Sequence, residues 1–501
     1  MVIRKQTLSP KDPELWDHQK RVLELMDSRT YFAIFHDMGC GKTRTTVSCL
    51  RAKMNAEKRA LHTLVLSPLS VVPNWVEEFR RHGGKVAAGV QALTGTEKER
   101  IEQTKAPGKF IFVTNIDAIT SCPDLWKILA SSKWDAIVVD ESQRFKNPRA
   151  KRLTGRSQKL TTAEKAKGKK PRQRIIGLAE VCDRTKYKFI LSGDPTPQDE
   201  RDLWGQFRLL DSGICGSNFT AFQTRHFYDA NQGNPWKKWP DIKMKPESRR
   251  FFDTILSTHS DRVTKDECLD LPPLIRVTRH IELTPEIRRH YVEMERDFLT
   301  ELDNAQVVTA DIVVTKLLRL QQICCGILKD TTGTVTIQPT NKLHDLSELL
   351  EDLCPRHKVI VWCNFRDSIT QIDALCADLG LYNVVIQGGQ SAPQRQAAIK
   401  EFKEDPKVSV CVANPAAGGV GIDGLQGASY MIYYSKGYNL EHDRQSEARA
   451  YRAGSEIHEK ITRIDLVTAG TVEEEITEAL RAKKTIGDML FAFKGRGKAA
   501  A

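Results

Sequence analysis

Residues 30–54 read TYFAIFHDMGCGKTRTTVSCLRAKM. TYFAIF is an apolar run, DMGCGKT (37–43) is a glycine turn, and the stretch that begins at Thr43 is helix-like. Strand, glycine turn and helix is the context that a phosphate-binding loop needs. Gly39 and Gly41 allow the backbone to wrap a phosphate with its N–H groups, and the helix N-terminus adds favourable partial charge. Cys40 and Arg44 complete the loop. Lys42 is placed to neutralise β- and γ-phosphates, and the Thr43 hydroxyl to ligate Mg2+. The strict pattern has Gly where this chain has His36. The bland alternative is a glycine turn that happens to precede Lys-Thr.

Similar apolar runs recur on both sides of this stretch. The first half has HTLVLS (62–67), KFIFVT (109–114), WDAIVVD (134–140) and YKFILS (187–192). The second half has KVIVWC (358–363), YNVVIQ (382–387), VSVCVA (408–413), YMIYYS (430–435) and ITRIDLV (461–467). Such short runs fit strands buried on both faces, and the helical stretches between them imply βαβ units and parallel sheets. The two groups are about 160 residues apart. Helical periodicity appears between them in 283–302 and 311–323. The fold class expected is α/β: two lobes with parallel sheets and helical insertions between them. The expected divisions are a nucleotide-binding lobe over 1–262, a helical linker or protrusion over 263–345, a second lobe over 346–494 and a tail over 495–501.

The 501 residues allow two to four domains. Apolar residues make up 40% and charged residues 28%, which excludes a disordered or collagenous chain. No stretch approaches 18 apolar residues, and the N-terminus shows no secretory h-region, so neither membrane nor export is expected. The 12 cysteines include no C-x-x-C pair, so zinc and a disulfide framework are not expected, and free thiols fit a reducing cytosol. The net charge of +12 suggests a polyanion such as nucleic acid. Residues 149–174 hold 11 Lys/Arg against one acid, Glu164, and so carry +10 of that charge. This stretch cannot form core and is expected as a loop. Lys151, Arg152, Lys169 and Lys170 in it are candidate DNA contacts. A solvated loop, or in a eukaryote an import signal at 167–174, is the alternative. NPWKKWP (234–240) reads better as a packed turn than as a base-stacking element.

VVDES (138–142) closes another buried strand. Asp140 and Glu141 therefore sit where an open α/β sheet places its ligand. Asp140 can hold Mg2+ through water, and Glu141 can orient the attacking water. With the phosphate loop about 100 residues upstream, the pair points to a nucleoside-triphosphate hydrolase. A kinase, GTPase or transporter ATPase could show the same two features. In the second half, DRQSEARAYRAGS (443–455) spaces Gln445, Arg449 and Arg452 at i, i+4 and i+7, one face of a helix. Two arginines presented this way can serve as arginine fingers. A solvated face paired with Glu441 and Glu447 is the alternative.

The order of motifs resembles the Swi/Snf-type ATPase family of helicase superfamily two along nearly the whole chain. LWDHQK (15–20) resembles the glutamine motif, with Gln19 as the adenine reader. DMGCGKT looks like motif I, VLSPLSVVPNWVEEF (65–79) motif Ia, VTNIDAI (113–119) motif Ib and DESQRFKNP (140–148) motif II. LSGDPTPQDERDLWGQFRLLD (191–211) looks like motif III. SDRVTKDECLDLPPL (260–274), IELTPEIRRHY (281–291) and LLRLQQICCG (317–326) resemble the stretch between the lobes. HKVIVWCNF (357–365), AAGGVGIDGLQGA (416–428) and DRQSEARAYRAGS resemble motifs IV, V and VI.

The resemblance implies two RecA-like lobes, ATP and Mg2+ as cofactors in the cleft between them, and double-stranded DNA across both; branched or forked DNA, which Trp stacking in 234–240 would suit, is left open as a partner. It implies translocation along the duplex without strand separation. It gives Lys42, Thr43, Asp140, Glu141, Arg449 and Arg452 the catalytic roles, Gln445 a place in the nucleotide site, and Gly421 and Asp423 the coupling of nucleotide to DNA. Ser67, Pro68, Thr114 and Asn115 become candidate phosphate contacts. Motif II reads DESQ where the family usually has Ala or Gly third and His fourth, so Gln143 must supply the link to motif III. Motif III reads SGDP, which puts an acid at Asp194, and motif VI has Tyr451 for the usual His. None of these departures removes a catalytic residue, so an active ATPase is expected. No bromodomain, chromodomain, RING or SANT-like pattern is visible. The expectation is therefore a bare, monomeric motor of phage or bacterial type, cytoplasmic and DNA-associated (nuclear in a eukaryote). The rival readings are a strand-separating or fork-remodelling helicase and a nucleotide-switched DNA-binding scaffold.

Overall fold

A computed structural model describes residues 15–155, 174–232, 241–268, 270–304, 310–329, 334–418 and 424–482. The chain divides into two compact units, residues 1–268 and 269–501.

In the first unit the apolar runs become β1 (Tyr31–His36), β2 (Thr63–Ser67), β3 (Val90–Ala92), β4 (Ile111–Asn115), β5 (Ala136–Val139) and β6 (Tyr187–Leu191). A hairpin of β7 (Phe227–Asp229) and β8 (Ile242–Met244) follows, and then β9 (Ser260–Val263). Seven strands form one parallel sheet in the order β3-β4-β2-β5-β6-β1-β9. Successive side chains alternate between two buried faces. Ala33, Phe35, Leu64, Leu66, Ile137 and Val139 enter one core. Phe32, Ile34, Val65, Val138, Phe189 and Leu191 enter the other. Each large side chain buried this way contributes about 1.5–3 kcal/mol, which explains why the strands read as continuous apolar runs.

The second unit contains β10 (Leu274–Ile281), β11 (Ile327–Lys329), β12 (Val335–Ile337), β13 (Val359–Trp362), β14 (Tyr382–Ile386), β15 (Val408–Ala413), β16 (Tyr430–Tyr433) and β17 (Ile461–Thr468). Six of them form a parallel sheet in the order β10-β17-β16-β13-β15-β14, with β11 and β12 as a separate hairpin. Val359, Val361, Val410 and Val412 fill one side of this sheet, and Ile360, Trp362, Cys411 and Ala413 the other.

Residues 263–345 contain more than helices, because β10 is the edge strand of the second sheet. Its polar, half-exposed sequence LIRVTRHI hides it from a search for apolar runs. The helices Pro285–Asn304 and Ala310–Cys324 pack with the later helix Val472–Ala482 through Ile287, Tyr291, Leu317, Leu320 and Ile476. From residue 269 on, the expected 263–345 region is thus joined to the second unit by both a strand and a helical core, whereas 263–268 belong to the first unit.

Candidate functional site

The turn from Asp37 to Gly41 joins β1 to the 16-residue helix Lys42–Glu57 at the carboxyl end of the first sheet. Gly39 and Gly41 have φ of 93° and 73°, values that a side chain would strain. A Cβ at Gly41 would also lie 2.3 Å from Gln19 Nε2, so it would push Gln19 off its seat on the loop. Gln19 is buried and donates that Nε2 to Gly41 O at 3.3 Å, while His18 Nε2 lies 2.9 Å from Cys40 O. The helix Asp17–Asp27 therefore grips the loop through two adjacent side chains. Lys42 donates its ammonium to His36 O at 2.7 Å and Asp37 O at 3.1 Å. A Cβ on Gly193, in motif III, would lie 3.6 Å from the same ammonium. Thr43 and Arg44 occupy the first helical turn, half-buried. Two positive-φ glycines, an inward lysine and a helix N-terminus fit a phosphate chain.

His36 takes the place of a loop glycine because its side chain leaves the loop. It is fully buried, with Nε2 2.8 Å from Asp261 Oδ2 on β9. Arg21 grips the same carboxylate with two bonds of 2.9 Å. Burial pushes the His36 imidazole below its ordinary range. Burial raises the Asp261 carboxyl, but the bonds from His36 and Arg21 outweigh that and hold it below its ordinary value.

Asp140 and Glu141 follow β5. Asp140 is buried, and its carboxylate accepts from Trp75 Nε1 at 2.9 Å and from the Glu141 backbone N–H at 2.9 Å. Burial first, and then the Glu141 charge, raises its pKa to about 6. Glu141 has φ 50°, a left-handed conformation that is uncommon for a non-glycine residue and concentrates at functional sites. Its Oε2 accepts from Gln143 Nε2 at 2.6 Å, and Gln143 Oε1 accepts from Ser192 Oγ at 2.7 Å. The Asp194 N–H donates back to Ser192 Oγ at 3.1 Å. A parallel link runs from Ser142 Oγ to Gln206 Oε1 (2.8 Å) and from Gln206 Nε2 to Pro195 O (2.6 Å). Sequence reading missed Trp75, Gln206 and Asp261. Trp75 had a signal as the Trp that follows motif Ia, but nothing local announced the other two.

Ser67, Pro68, Thr114 and Asn115 lie side by side at the ends of β2 and β4, with Ser67 opposite Asn115. All four are buried. Ser67 Oγ donates to Pro68 O at 3.2 Å, the Thr114 hydroxyl has no partner, and Asn115 Oδ1 accepts from Arg100 Nη1 at 2.6 Å. Lys151 opens a short helix, and Arg152 pairs with Asp117 at 3.4 Å. Lys169, Lys170, Gly421, Asp423, the segment 234–240 and the tail 495–501 lie outside the described residues.

In the second unit Asn439 caps the helix Leu440–Ala450, accepting from Glu441 N at 2.9 Å. Gln445 is buried and donates to Glu441 Oε1 at 3.1 Å, and Arg449 is half-buried near the helix end. The expected common helix face does not extend to Arg452. Tyr451 leaves helical geometry (φ −89°, ψ 81°), and Arg452 lies in the turn beyond it. The same helix is anchored from β17 by Arg463, a residue that sequence reading passed over as part of an apolar strand. Arg463 is buried and donates to Asp443 (2.7 Å), Glu447 (2.9 Å) and Asp465 (2.9 Å), with its guanidinium 3.9 Å from the Tyr433 ring centre. Glu447 also takes Arg276 of β10 at 2.8 Å. Burial raises the Glu447 and Asp465 carboxyls, but Arg463 with Arg276 or Lys436 holds both below their ordinary values.

No described helix is long and apolar enough to cross a membrane. Among the described residues no three His, Cys, Asp or Glu side chains cluster as metal ligands.

Residues 18–166 match the SNF2-related domain and residues 341–454 the helicase conserved C-terminal domain. An uncharacterized ATP-dependent helicase of Mycoplasma genitalium is 23% identical over 471 residues, which cover 93% of this chain and 41% of that protein. Protein p41 of Acyrthosiphon pisum secondary endosymbiont phage 1 is 24% identical over 469 residues, covering 91% of this chain and 93% of its own. The solved Sulfolobus solfataricus SWI2/SNF2 ATPase core in complex with dsDNA is 22% identical and covers 95% of this chain and 93% of its own, with a TM-score of 0.41. The chain spans about two fifths of the length of the mycoplasma relatives it matches. With both matched domains in order on two parallel-sheet units, the chain belongs to the SNF2-type ATPase family of helicase superfamily two.

Proposed function

We propose that this chain hydrolyses ATP to move along double-stranded DNA as a monomeric cytoplasmic motor. The observation that carries the reading is the bonded path Glu141–Gln143–Ser192, which ties the second carboxylate of motif II to motif III. Gly193 of motif III lies beside the Lys42 ammonium, which a Cβ at that position would approach to 3.6 Å. Gly39, Cys40, Gly41, Lys42, Thr43 and Arg44 would hold the phosphates of ATP, and Gln19, already seated on the loop, the adenine. Thr43 and Asp140 would hold Mg2+, which takes few protein ligands and keeps waters and phosphates. When bound, the ion neutralises phosphate charge. Glu141 accepts the proton of the attacking water, and Gln143 fixes the direction in which that carboxylate points. We assign Arg449 and Arg452 to stabilising charge that develops on the γ-phosphate. Gln445 supports them, and Gly421 and Asp423 are assigned to coupling.

DNA contact is proposed at the ends of β2 and β4. Ser67, Pro68, Thr114 and Asn115, all four buried, are the residues assigned to it. Lys151, Arg152, Lys169 and Lys170 are proposed to add charge. Contacts of this kind position the protein without reading sequence, so binding is expected to be salt-dependent and sequence-tolerant.

The test is ATPase activity against duplex, forked and single-stranded DNA and RNA, with Glu141→Gln beside the wild type. Stimulation by duplex DNA is expected, with ATP binding intact and turnover stalled in the variant. Wild-type turnover by Glu141→Gln would overturn the base assignment, and stimulation by RNA alone would overturn the duplex reading.

A further inference from the structure

We propose that Cys40 and Cys268 form a reversible disulfide that shuts the phosphate loop under oxidising conditions. Cys40 sits between the two positive-φ glycines of the loop. Its Sγ lies 3.1 Å from Sγ of Cys268, 228 residues away, at the end of the short helix Lys265–Cys268. A disulfide needs the sulfurs about 2.05 Å apart, so closure takes a movement of about 1 Å. Backbone bonds hold both partners in one frame. Asp37 N donates to Val263 O at 2.8 Å, and Lys265 N donates to Asp37 Oδ2 at 3.2 Å. The strand that ends at Val263 is therefore clipped to the start of the loop, and the chain returns to the loop's middle at Cys268.

Access orders the chemistry. Cys40 is fully buried, whereas Cys268 is half-exposed and is the thiol that a small oxidant reaches first. A peroxide transfers one oxygen to the Cys268 sulfur, giving a sulfenic acid and water. The Cys40 sulfur then displaces that hydroxyl, which leaves as a second water with the Cys40 proton. Overall two thiols are oxidised and one peroxide is reduced to two waters. Burial raises both thiol pKa values, which lowers the thiolate fraction and slows the first oxidation.

The consequence follows from the loop's task. Its amides and Lys42 must settle around a phosphate chain, and a covalent tether at Cys40 draws the middle of the loop toward residue 268. The tether also fixes the last residue of the first unit. This inference rests on the reading of the loop as an ATP site, so linkage and nucleotide binding are read separately.

The experiment treats the full chain with hydrogen peroxide, maps non-reduced peptides by mass, and titrates a fluorescent ATP analogue before and after dithiothreitol. The expected result is a Cys40–Cys268 linked peptide and at least ten-fold weaker nucleotide binding, both reversed by the reductant. Cys268→Ser should bind nucleotide like the reduced wild type and resist peroxide. Cys122→Ser, which removes the other half-exposed thiol, should remain as sensitive as the wild type. Absence of the linked peptide, a linked peptide with unchanged nucleotide affinity, or a Cys268→Ser protein as sensitive as the wild type would each overturn the switch. Failure of the reduced wild type to bind the analogue at all would instead overturn the ATP-site reading, with the linkage still read by mass.

Discussion

Gln143 donates its side-chain amide to Glu141 Oε2 at 2.6 Å while accepting from Ser192 Oγ at 2.7 Å. The two bonds fix the amide's orientation, because a carboxylate takes only the N–H side. Gln143→Leu removes both and leaves Ser192 and Glu141 without these bonds. A misdirected general base costs up to about 100-fold in turnover. We expect kcat to fall about 10- to 100-fold with nucleotide affinity unchanged. Steady-state ATPase kinetics beside equilibrium nucleotide binding checks this, and equal losses in both would refute a purely orienting role.

His36→Gly restores the strict loop pattern and should nevertheless harm the protein. It deletes a fully buried ring and the 2.8 Å contact to Asp261. Losing a buried partner of a charge and leaving a cavity costs about 2–4 kcal/mol together. The pH dependence has a definite sign. His36 is held below its ordinary 6.5 by burial, facing His18, Lys42 and Asp261, so the unfolded chain binds the proton first. Its contribution is full above pH 6.5 and declines as pH falls below it. Urea unfolding between pH 7.5 and 5 should show that decline in the wild type and a shallower one in His36→Gly.

The contrast between His36 and the strands marks what a sequence can disclose. Ten strands were readable because most are buried on both faces and rich in apolar residues, and even the edge strand β14 and the Arg- and Asp-bearing β17 keep enough of that run to be seen. β3 is three residues long, β9 is SDRV and β10 is mostly exposed, so none carries that signal. Lys42, Asp140, Glu141 and the Gln143 link are local features of motifs. Asp261 and Arg463 act through partners brought close only by folding, and Asp261 meets His36 across 225 residues. Arg452 was misplaced on a helix because periodicity says nothing about Tyr451 leaving helical geometry.

Arg463→Met should damage the second unit more than an apolar swap in a strand would suggest. The guanidinium is the shared partner of Asp443, Glu447 and Asp465. Removing one member of a buried ion network costs about 3–5 kcal/mol because the rest stay charged. Arg463→Lys should rescue little, since an ammonium cannot reproduce the fork. The helix that carries Arg449 loses its anchor, so ATPase should fall while nucleotide binding by the first unit persists. Hydrogen exchange over 440–450 should rise in both variants, and unchanged protection there would refute the anchor.

The basic stretch 149–174 can be removed cleanly only in part. Leu153 is fully buried in the first core and Arg152 pairs with Asp117, so a deletion that starts at 152 cuts into structure. The ends of the remainder are already joined, because Ile175 N donates to Gly155 O at 3.0 Å. A short glycine linker can therefore replace 156–173 without stretching the described chain on either side. The deletion removes seven Lys/Arg and one Glu. Each phosphate neutralised contributes about 0.9 to the slope of log affinity against log salt. If these cations touch DNA, the slope should drop by several and low-salt affinity should fall, with basal ATPase unchanged. Fluorescence anisotropy with a labelled duplex from 50 to about 200 mM salt measures both. An unchanged slope would mean that the charge of 156–173 is only solvated, and that DNA contact falls to the groups left in place, Lys151, Arg152 and the strand ends around Ser67 and Asn115.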